Sequence, residues 1–242
     1  MSTSVAALQN FYLSRNVDEP SLFQVWERGE ARGDSVTPAT YSAPYRAWMH
    51  YKLVVALKEN ETDRLLSLGS GNAAIERGIV QDGYRVLAVD AMQEAVELAR
   101  SKGVEALCAD VLTWSPDGSW PVVYADGLLG HLYDADDGLL PVFRRIRSWL
   151  TDGPGRGTFI VSNDSPAETH SAQAAPGVPG FHWLSAPYLR DEALRAGFTE
   201  VTVDTFDYDR PLSGRRTRAV ITANLESPAA EEHARHADEQ GF

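Results

Sequence analysis

The strongest signal in the sequence is the segment Leu65-Leu66-Ser67-Leu68-Gly69-Ser70-Gly71-Asn72-Ala73. It is an apolar strand that runs into two glycines, and helical spacing follows over residues 73–82. Glycines at such a turn let a ligand approach the backbone closely, because no Cβ stands in the way. The free N–H groups at the start of a helix favour polar ligand atoms. A Gly-x-Gly turn is a weak indication alone, so the strands that follow must support it.

The next apolar strand ends in an acid at a suitable distance. Residues 85–89 are apolar except for Arg85 and lead into Asp90, 21 residues after Gly69. An acid in this place can accept hydrogen bonds from both hydroxyls of a ribose. The sequence therefore predicts a nucleoside site beside the glycine turn.

Two further strands end in polar residues. The run 104–109 is followed by Asp110, where a carboxylate and the adjacent backbone can bind the edge of an adenine. The run 121–125 is followed by Asp126 and, five residues later, by His131. Because open α/β sheets bind ligands at the carboxyl ends of their strands, we expect all four strand ends to face one crevice.

The alternation of short apolar runs with helix-spaced segments predicts an α/β fold with a doubly wound, mainly parallel sheet. Two β-rich runs near the end of the chain predict an antiparallel hairpin at the sheet edge. The predicted strands are 65–68, 85–89, 104–109, 121–125, 157–162, 199–206 and 218–222, and the predicted helices between them are 73–82, 92–101, 139–150 and 185–194.

The chain divides into three predicted parts. Residues 1–60 contain helix-spaced aromatic residues and form a helical cap, and residues 61–224 form the sheet domain. A Pro- and Gly-rich loop over 163–184 is long enough to act as a lid. Residues 225–242 are acidic, with little apolar material, and we expect them to be frayed.

Composition excludes several functions. The 242 residues carry a formal net charge of −12, which repels phosphate backbones and anionic lipid and argues against nucleic-acid and membrane partners. Cys108 is the only cysteine, and we expect it to be a small core residue. No stretch suggests a signal peptide, a membrane span or a metal site, so the expected location is the cytoplasm.

The ordered set of strand-end motifs resembles the class I S-adenosylmethionine-dependent methyltransferases over about residues 60–222. The resemblance implies that the glycine turn holds the methionine part of the cofactor, that the acid after the second strand holds the ribose, and that the acid after the third holds the adenine. Ser67 and Ala73 depart from the family pattern, which usually has Asp or Glu at the first position and often glycine at the second. The implied cofactor-binding residues are Gly69, Ser70, Gly71, Asp90, Ala91, Met92, Asp110, Val111 and Asp126.

Methyl transfer is an in-line displacement that needs a positioned acceptor, exclusion of water and an available lone pair. His131 and Asp126 are the candidate catalytic bases, because both follow the fourth strand. Each also has a structural interpretation, His131 as a bridge between loop and helix and Asp126 as the cap of a turn. His131 is in addition a candidate contact of the acceptor.

Aromatic residues of the cap and the lid are the other candidate acceptor contacts, although aromatic residues at helical spacing are more often core. They are Tyr41, Tyr45, Trp48, His182 and Trp183. The net charge and the acids that follow His131 favour a cationic acceptor, so we expect N-methylation of a small amine, such as an amino sugar or a natural-product intermediate.

Several alternatives stay open at this point. O-methylation of a small molecule is the nearest alternative to N-methylation. A nicotinamide-dependent oxidoreductase also needs a glycine turn and an acid after the second strand, but the chain has no third glycine in the Gly-x-Gly-x-x-Gly pattern and no Tyr-x-x-x-Lys segment. A non-catalytic cofactor-binding module is the third alternative. Aromatic cap residues such as Trp26 could equally pack against a second copy in a homo-oligomer.

Overall fold

A computed structural model describes residues 5–13, 19–150, 157–166 and 170–225. Its helices are α1 (Val5–Tyr12), α2 (Leu22–Glu27), α3 (Pro38–Tyr41), α4 (Ala43–Glu59), α5 (Glu76–Gln81), α6 (Gln93–Ser101), α7 (Leu129–Leu132), α8 (Leu140–Arg147) and α9 (Ala186–Arg195). Its strands are β1 (Arg64–Leu68), β2 (Arg85–Asp90), β3 (Glu105–Cys108), β4 (Val122–Asp126), β5 (Gly157–Asp164), β6 (Ala172–Ala174), β7 (His182–Leu184), β8 (Glu200–Arg210) and β9 (Gly214–Leu225).

The central sheet has seven strands in the order β3-β2-β1-β4-β5-β9-β8. The first five are parallel to their neighbours, and β9 pairs antiparallel with both β5 and β8. This confirms the predicted mainly parallel sheet with an antiparallel C-terminal hairpin. The strand order reverses between β1 and β4, and a ligand crevice is expected beyond the carboxyl ends of the strands at such a switch point.

Hydrophobic side chains cover both faces of the sheet. Alternate residues of β1 point to opposite faces, so Leu66 and Leu68 join one core cluster with Phe159 while Leu65 joins the other with Ile160. Strand β5 is buried along its whole length. A strand buried on both faces reads as a continuous apolar run, which is why these central strands are visible in the sequence.

Two predicted element bounds differ from the structure for local reasons. The helix expected over 73–82 begins only at Glu76, because Gly71 and Ala73 have φ values of +54° and +50° and the chain is still turning there. The C-terminal hairpin is longer than expected, since β8 and β9 pair continuously from Glu200 opposite Asn224 to Arg210 opposite Gly214.

The long segment after β5 has structure of its own. Strand β5 extends to Asp164, and β6 and β7 then form a small antiparallel ribbon. Ser185 caps α9 as expected, because its side chain accepts a hydrogen bond of 3.3 Å from the Tyr188 N–H. The ribbon brings Phe181 and Trp183 over the edge of the sheet, where they are buried.

The expectation for Cys108 is wrong. It lies on β3, which is the edge strand of the sheet, and its side chain is exposed. An apolar run predicts burial only if both faces of the strand are covered, and an edge strand is covered less than a central one.

The predicted acidic tail from residue 226 onward lies outside the described residues. None of the described helices is long and apolar enough to cross a membrane.

Candidate active site

The glycine turn after β1 has the backbone conformation that its sequence demands. Gly69 and Gly71 have φ values of +65° and +54°, a region that residues with side chains adopt at a cost. The Gly69 N–H donates to the Val89 carbonyl at 2.7 Å, and a Cβ on Gly69 would stand only 3.0 Å from a methyl group of Leu128. The Ser70 hydroxyl is buried without a hydrogen-bond partner among the described residues. A polar ligand beside the turn would supply one.

Asp90 joins the end of β2 to the glycine turn. Its carboxylate accepts hydrogen bonds of 2.9 Å from the backbone N–H groups of Gly71 and Met92. Burial raises the pKa of Asp90 to about 6, against the lowering effect of these N–H donors. A carboxylate buried at 9% exposure and held by two amides is a fixed acceptor at the edge of the crevice.

A cavity lies over the carboxyl ends of β1 to β4. Its floor contains the residues that the resemblance assigned to the cofactor, together with His131. These floor residues are Gly69, Ser70, Gly71, Asp90, Ala91, Met92, Asp110, Val111 and Asp126. Its roof includes Tyr12, Phe23 and Trp26 from α1 and α2. We call this space the main cavity.

The roof residues Tyr12 and Phe23 were not singled out by the sequence. Their rings stack with centroids 5.6 Å apart, and Trp26 meets Phe23 edge to face at 5.6 Å. Helical spacing predicts that such residues are buried, but it does not identify the surface that they pack against. Only the fold of the cap over the sheet shows that they cover the main cavity.

His131, on α7, is a neutral imidazole beside the main cavity. Its Nε2 lies 2.7 Å from the Tyr12 hydroxyl, and its Nδ1 is buried without a partner among the described residues. Burial, with a smaller contribution from the nearby His182, lowers the pKa of His131 to about 4. The ring also packs edge to face on Phe181, with centroids 4.7 Å apart. A buried ring nitrogen without a partner marks a place where a ligand group can bind.

Asp126 lines the main cavity but belongs to a buried charge network. Its carboxylate accepts hydrogen bonds from Arg218, from the Ser162 hydroxyl and, at 3.1 Å, from the Tyr124 hydroxyl. Arg218 is 1% exposed and also donates to Asp164 at 3.1 Å. A carboxylate paired with a permanent cation and two hydroxyls is poorly suited to take a proton. The structure therefore favours a positioning role for Asp126 over the predicted role as a base.

A second pocket, of about 440 Å³, adjoins the main cavity, and both are lined by Tyr12, Trp26, Thr37 and Gly127. We call it the side pocket. Aromatic and aliphatic side chains from the cap and the lid form its walls, and two buried arginines form its polar part. Its further lining includes Phe11, Asp34, Val178, Phe181, Trp183, Arg210 and Arg218.

Arg210 is held rigidly in the side pocket. Its Nε donates to the Tyr208 hydroxyl at 2.9 Å, its Nη1 donates to the Asp34 carbonyl at 2.9 Å, and its Nη2 pairs with Asp164. Sequence reasoning missed this arginine and Arg218, because the pattern of β8 and β9 gives no sign that a hairpin at the sheet edge reaches the site.

The structure does not bring three of the predicted acceptor contacts to either pocket. Tyr45 is fully buried and donates to the Ser162 hydroxyl at 2.9 Å, while Trp48 stacks on Phe206 at 5.4 Å. Tyr41 is 43% exposed and lines neither space. The structural interpretation, that aromatic residues at helical spacing belong to the core, accounts for Tyr45 and Trp48, whereas Tyr41 is exposed.

Of the two acceptor contacts predicted in the lid, only one lines a pocket. Trp183 lines the side pocket, whereas His182 lies behind it, with its ring 4.7 Å from that of Tyr133, and lines neither space. Neighbouring residues of a strand point to opposite faces, so a pair of this kind cannot both face the same pocket.

Among the residues that the structure describes, no group of three or more His, Cys, Asp or Glu side chains is placed to hold a metal ion.

Known proteins resemble this chain over most of its length. No protein-family model matches the chain. It is 40% identical over 209 residues to a tabtoxin biosynthesis enzyme of Pseudomonas amygdali pv. tabaci, a match that covers 85% of this chain and 81% of the relative. It is 29% identical over 179 residues to a trans-aconitate 2-methyltransferase of Mycolicibacterium gilvum, covering 69% of this chain and 67% of the relative.

Among solved structures, the fold is similar to that of a magnesium protoporphyrin IX methyltransferase of Synechocystis PCC 6803 with bound S-adenosylhomocysteine. The TM-score is 0.61 at 15% identity, and the match covers 92% of this chain and 99% of that one. The chain belongs to the same family as the tabtoxin biosynthesis enzyme, and its fold is that of the S-adenosylmethionine-dependent methyltransferases.

The residues of the main cavity fit S-adenosylmethionine, the cofactor that the sequence resemblance implies. The left-handed glycine turn leaves room for a ligand against the backbone, and the unpartnered Ser70 hydroxyl supplies a free hydrogen-bonding group. The buried carboxylate of Asp90 is an acceptor for hydroxyls, and Asp110 stands at the end of the neighbouring strand.

Proposed function

We propose that this chain transfers a methyl group from S-adenosylmethionine to a small acceptor molecule, at an amine nitrogen. The observation that carries the proposal is the adjoining pair of spaces, the main cavity and the side pocket, with Tyr12 and Gly127 lining both. The side pocket is a concave space with aromatic, aliphatic and arginine side chains in its walls, which suits a small molecule and not a macromolecular surface.

The main cavity would hold the cofactor through its strand ends. Gly69, Ser70 and Gly71 would contact the methionine part, Asp90 the ribose hydroxyls, and Asp110 the adenine edge. Ala91, Met92 and Val111 would pack beside the nucleoside. When bound, S-adenosylmethionine supplies an electrophilic methyl carbon, and the protein has to position the acceptor and exclude water.

His131 and Tyr12 would position the acceptor atom. Because burial lowers the pKa of His131 to about 4, the ring is neutral near pH 7 and can accept a hydrogen bond from an N–H group. A group with so low a pKa is a weak base, so we assign it the task of orienting an amine that arrives without its extra proton. The aromatic rings around it would stabilise the positive charge that develops on nitrogen.

The side pocket also suits an acidic group on the acceptor molecule. Arg210 and Arg218 line it. Both already pair with Asp164, but each uses only three of its five N–H donors, and the remaining N–H groups can bind a carboxylate of the acceptor. Asp134, Asp136 and Asp137, whose charge favoured a cationic acceptor, line neither space: the Asp134 carboxylate instead accepts from the N–H groups of the other two. The proposed acceptor is therefore a small amine that also carries a carboxylate.

Methylation of the carboxylate oxygen is the second candidate. It is favoured by the same two arginines and by the similarity to a trans-aconitate 2-methyltransferase. A carboxylate nucleophile needs no base, which also agrees with a neutral His131.

The first experiment is calorimetric titration with S-adenosylhomocysteine, and with NADPH in parallel. Binding of the first compound alone is expected, and binding of NADPH alone would overturn the proposal. Acceptors are then screened with S-adenosylmethionine labelled with ¹³C in the methyl group. An N-methyl signal that survives mild alkali supports the amine, whereas a methyl ester that alkali cleaves would replace it with the second candidate.

A further inference from the structure

Among the described residues, a buried carboxylate in the main cavity has no cation within ion-pair distance. Glu76, on α5, is 3% exposed and lines the cavity. Its Oε1 accepts a hydrogen bond of 2.6 Å from the Ser67 hydroxyl on β1. In the part of the chain that the structure describes, no lysine, arginine or histidine lies within ion-pair distance of it. Buried ionised carboxylates are normally paired, so this one calls for an explanation.

The charged groups around Glu76 do not supply the missing partner. Asp126 at the end of β4 is a second negative charge, and Tyr124 on the same strand is neutral at ordinary pH because burial raises its pKa well above the usual value. Lys102, after α6, attracts Glu76 from a distance but binds Glu27 and the Asn72 carbonyl. His50 on α4 faces α5 at Gly78 and pairs with Asp82.

These surroundings leave Glu76 only partly ionised without a ligand. Burial is the main reason that its pKa is raised to about 7, and Asp126 raises it further against the lowering effect of Ser67. A cation brought next to the carboxylate would favour the ionised form and would release the proton. The cavity that Glu76 lines is the one that fits S-adenosylmethionine, whose methionine part carries an ammonium group.

We propose that Glu76, oriented by Ser67, is the counter-ion that this chain provides for the ammonium group of its cofactor. The inference rests on the proposed function, because it takes the main cavity as the cofactor site. Helix α5 thus supplies the acid that β1 lacks at Ser67. Formation of the pair would couple cofactor binding to loss of a proton from Glu76.

The test compares two ligands that differ in one group. S-adenosylhomocysteine carries the ammonium, and its deaminated analogue has hydrogen in that place. Calorimetric titration of wild type and of Glu76→Gln is expected to show about a 10- to 100-fold weaker affinity of the variant for S-adenosylhomocysteine. Affinity for the deaminated analogue is expected to stay within about 3-fold. Glu192→Gln is the matched control, since Glu192 is also buried but lies outside both pockets.

Proton release provides a second readout that needs no variant. Titration of the wild type in buffers of different ionisation enthalpy is expected to show about half a proton released near pH 7 when S-adenosylhomocysteine binds. The deaminated analogue is expected to release less, and it corrects for any proton lost from Asp90, whose contact with the nucleoside both ligands share. The preference for S-adenosylhomocysteine is expected to weaken as the pH falls from 8 to 6.

The outcomes separate the two proposals. Equal losses for both ligands in Glu76→Gln, or no loss for either together with equal proton release, would overturn the role of Glu76 and leave the cofactor site intact. A wild-type protein that binds neither ligand would overturn the cofactor site itself and the role of Glu76 with it. Selective loss for the ammonium ligand supports both.

Discussion

The hydroxyl of Tyr12 lies 2.7 Å from Nε2 of His131, joining residues that are 119 positions apart in the chain. Tyr12 ends the first helix of the cap, and His131 follows the fourth strand of the sheet. The contact closes the cap over the crevice at the place where the main cavity and the side pocket adjoin. Burial raises the pKa of the Tyr12 hydroxyl well above its usual range, so this group stays protonated. The role proposed for His131 requires the tautomer in which Nε2–H donates to the Tyr12 oxygen, because Nδ1 is then the ring nitrogen that accepts a hydrogen bond.

Changes at this pair should affect turnover more than cofactor affinity. We expect His131→Ala to lower kcat about 10- to 100-fold, because the acceptor loses its positioning group. Tyr12→Phe should lower it about 3- to 10-fold, since the ring remains but no longer orients the imidazole. Steady-state kinetics and titration with S-adenosylhomocysteine measure the two effects. Tyr84→Phe, outside both pockets, is the control, and wild-type turnover of His131→Ala would assign that residue a purely structural role.

Replacement of Asp90 should weaken the cofactor. We expect Asp90→Ala to reduce the affinity for S-adenosylhomocysteine by about 1 to 3 kcal/mol, because ribose hydroxyls and two backbone N–H groups lose their acceptor. The matched control is Asp63→Asn, an exposed acid that pairs with Arg85 where β2 begins. Equal affinities of the two variants in calorimetry would contradict the assignment of Asp90.

Gly130 should not tolerate a side chain. A Cβ there would meet the Phe181 ring at 2.4 Å and the His182 carbonyl at 2.5 Å, so the lid ribbon would have to move away from α7. We expect Gly130→Ala to destabilise the fold by about 1 to 3 kcal/mol and to lower turnover as well. Gly103→Ala controls for the loss of a glycine, since its Cβ would meet open space and its φ of +79° alone is strained. It should cost stability without a change in turnover.

The Arg218 network should contribute strongly to stability. Arg218→Met leaves Asp126 and Asp164 without their shared buried cation, and we expect a loss of about 3 to 5 kcal/mol in denaturant unfolding. Arg215→Met is a matched change on the same strand, because Arg215 pairs with Asp207 at the exposed surface. Its expected effect is within about 0.5 kcal/mol. Similar losses in the two variants would show that the buried network has no special weight.

The order of elements and the floor of the cavity could be predicted from sequence, and the roof could not. Central strands such as β4 are buried on both faces and read as apolar runs, and their ends show the polar residues that follow. The apolar run around Cys108 predicts that this residue lies in the core, because a local pattern does not distinguish an edge strand from a central one.

The parts of the site that were missed depend on contacts between distant segments. Arg218 reaches the cavity from the antiparallel hairpin at the sheet edge, and Tyr12 reaches it from the cap. Glu76 had a sequence signal, because Ser67 lacks the acid expected at its own position. Only the fold shows that a glutamate nine residues later approaches that serine at 2.6 Å.

The pH dependence of stability should reveal the buried acid. The pKa of Glu76 is raised from 4.5 to about 7, mainly by burial, so its neutral form contributes stability that is present below pH 4.5 and lost as pH rises to 7. Asp90, with its pKa raised from 3.8 to about 6 by burial, acts in the same direction. His131 acts in the opposite direction, because its pKa is lowered from 6.5 to about 4, and its contribution is lost as pH falls below 6.5.

Since these effects partly cancel in the wild type, the difference between wild type and Glu76→Gln isolates one of them. The glutamine side chain of this variant stays neutral at every pH, so the variant should gain about 1 to 3 kcal/mol relative to wild type between pH 5 and pH 8 in the absence of ligand. Urea unfolding at the two pH values measures the difference. The same difference in unfolding free energy between the variant and wild type at both pH values would mean that Glu76 is already ionised in the free protein. The control is Glu192→Gln, which shows how a buried glutamate outside the pockets behaves under the same conditions.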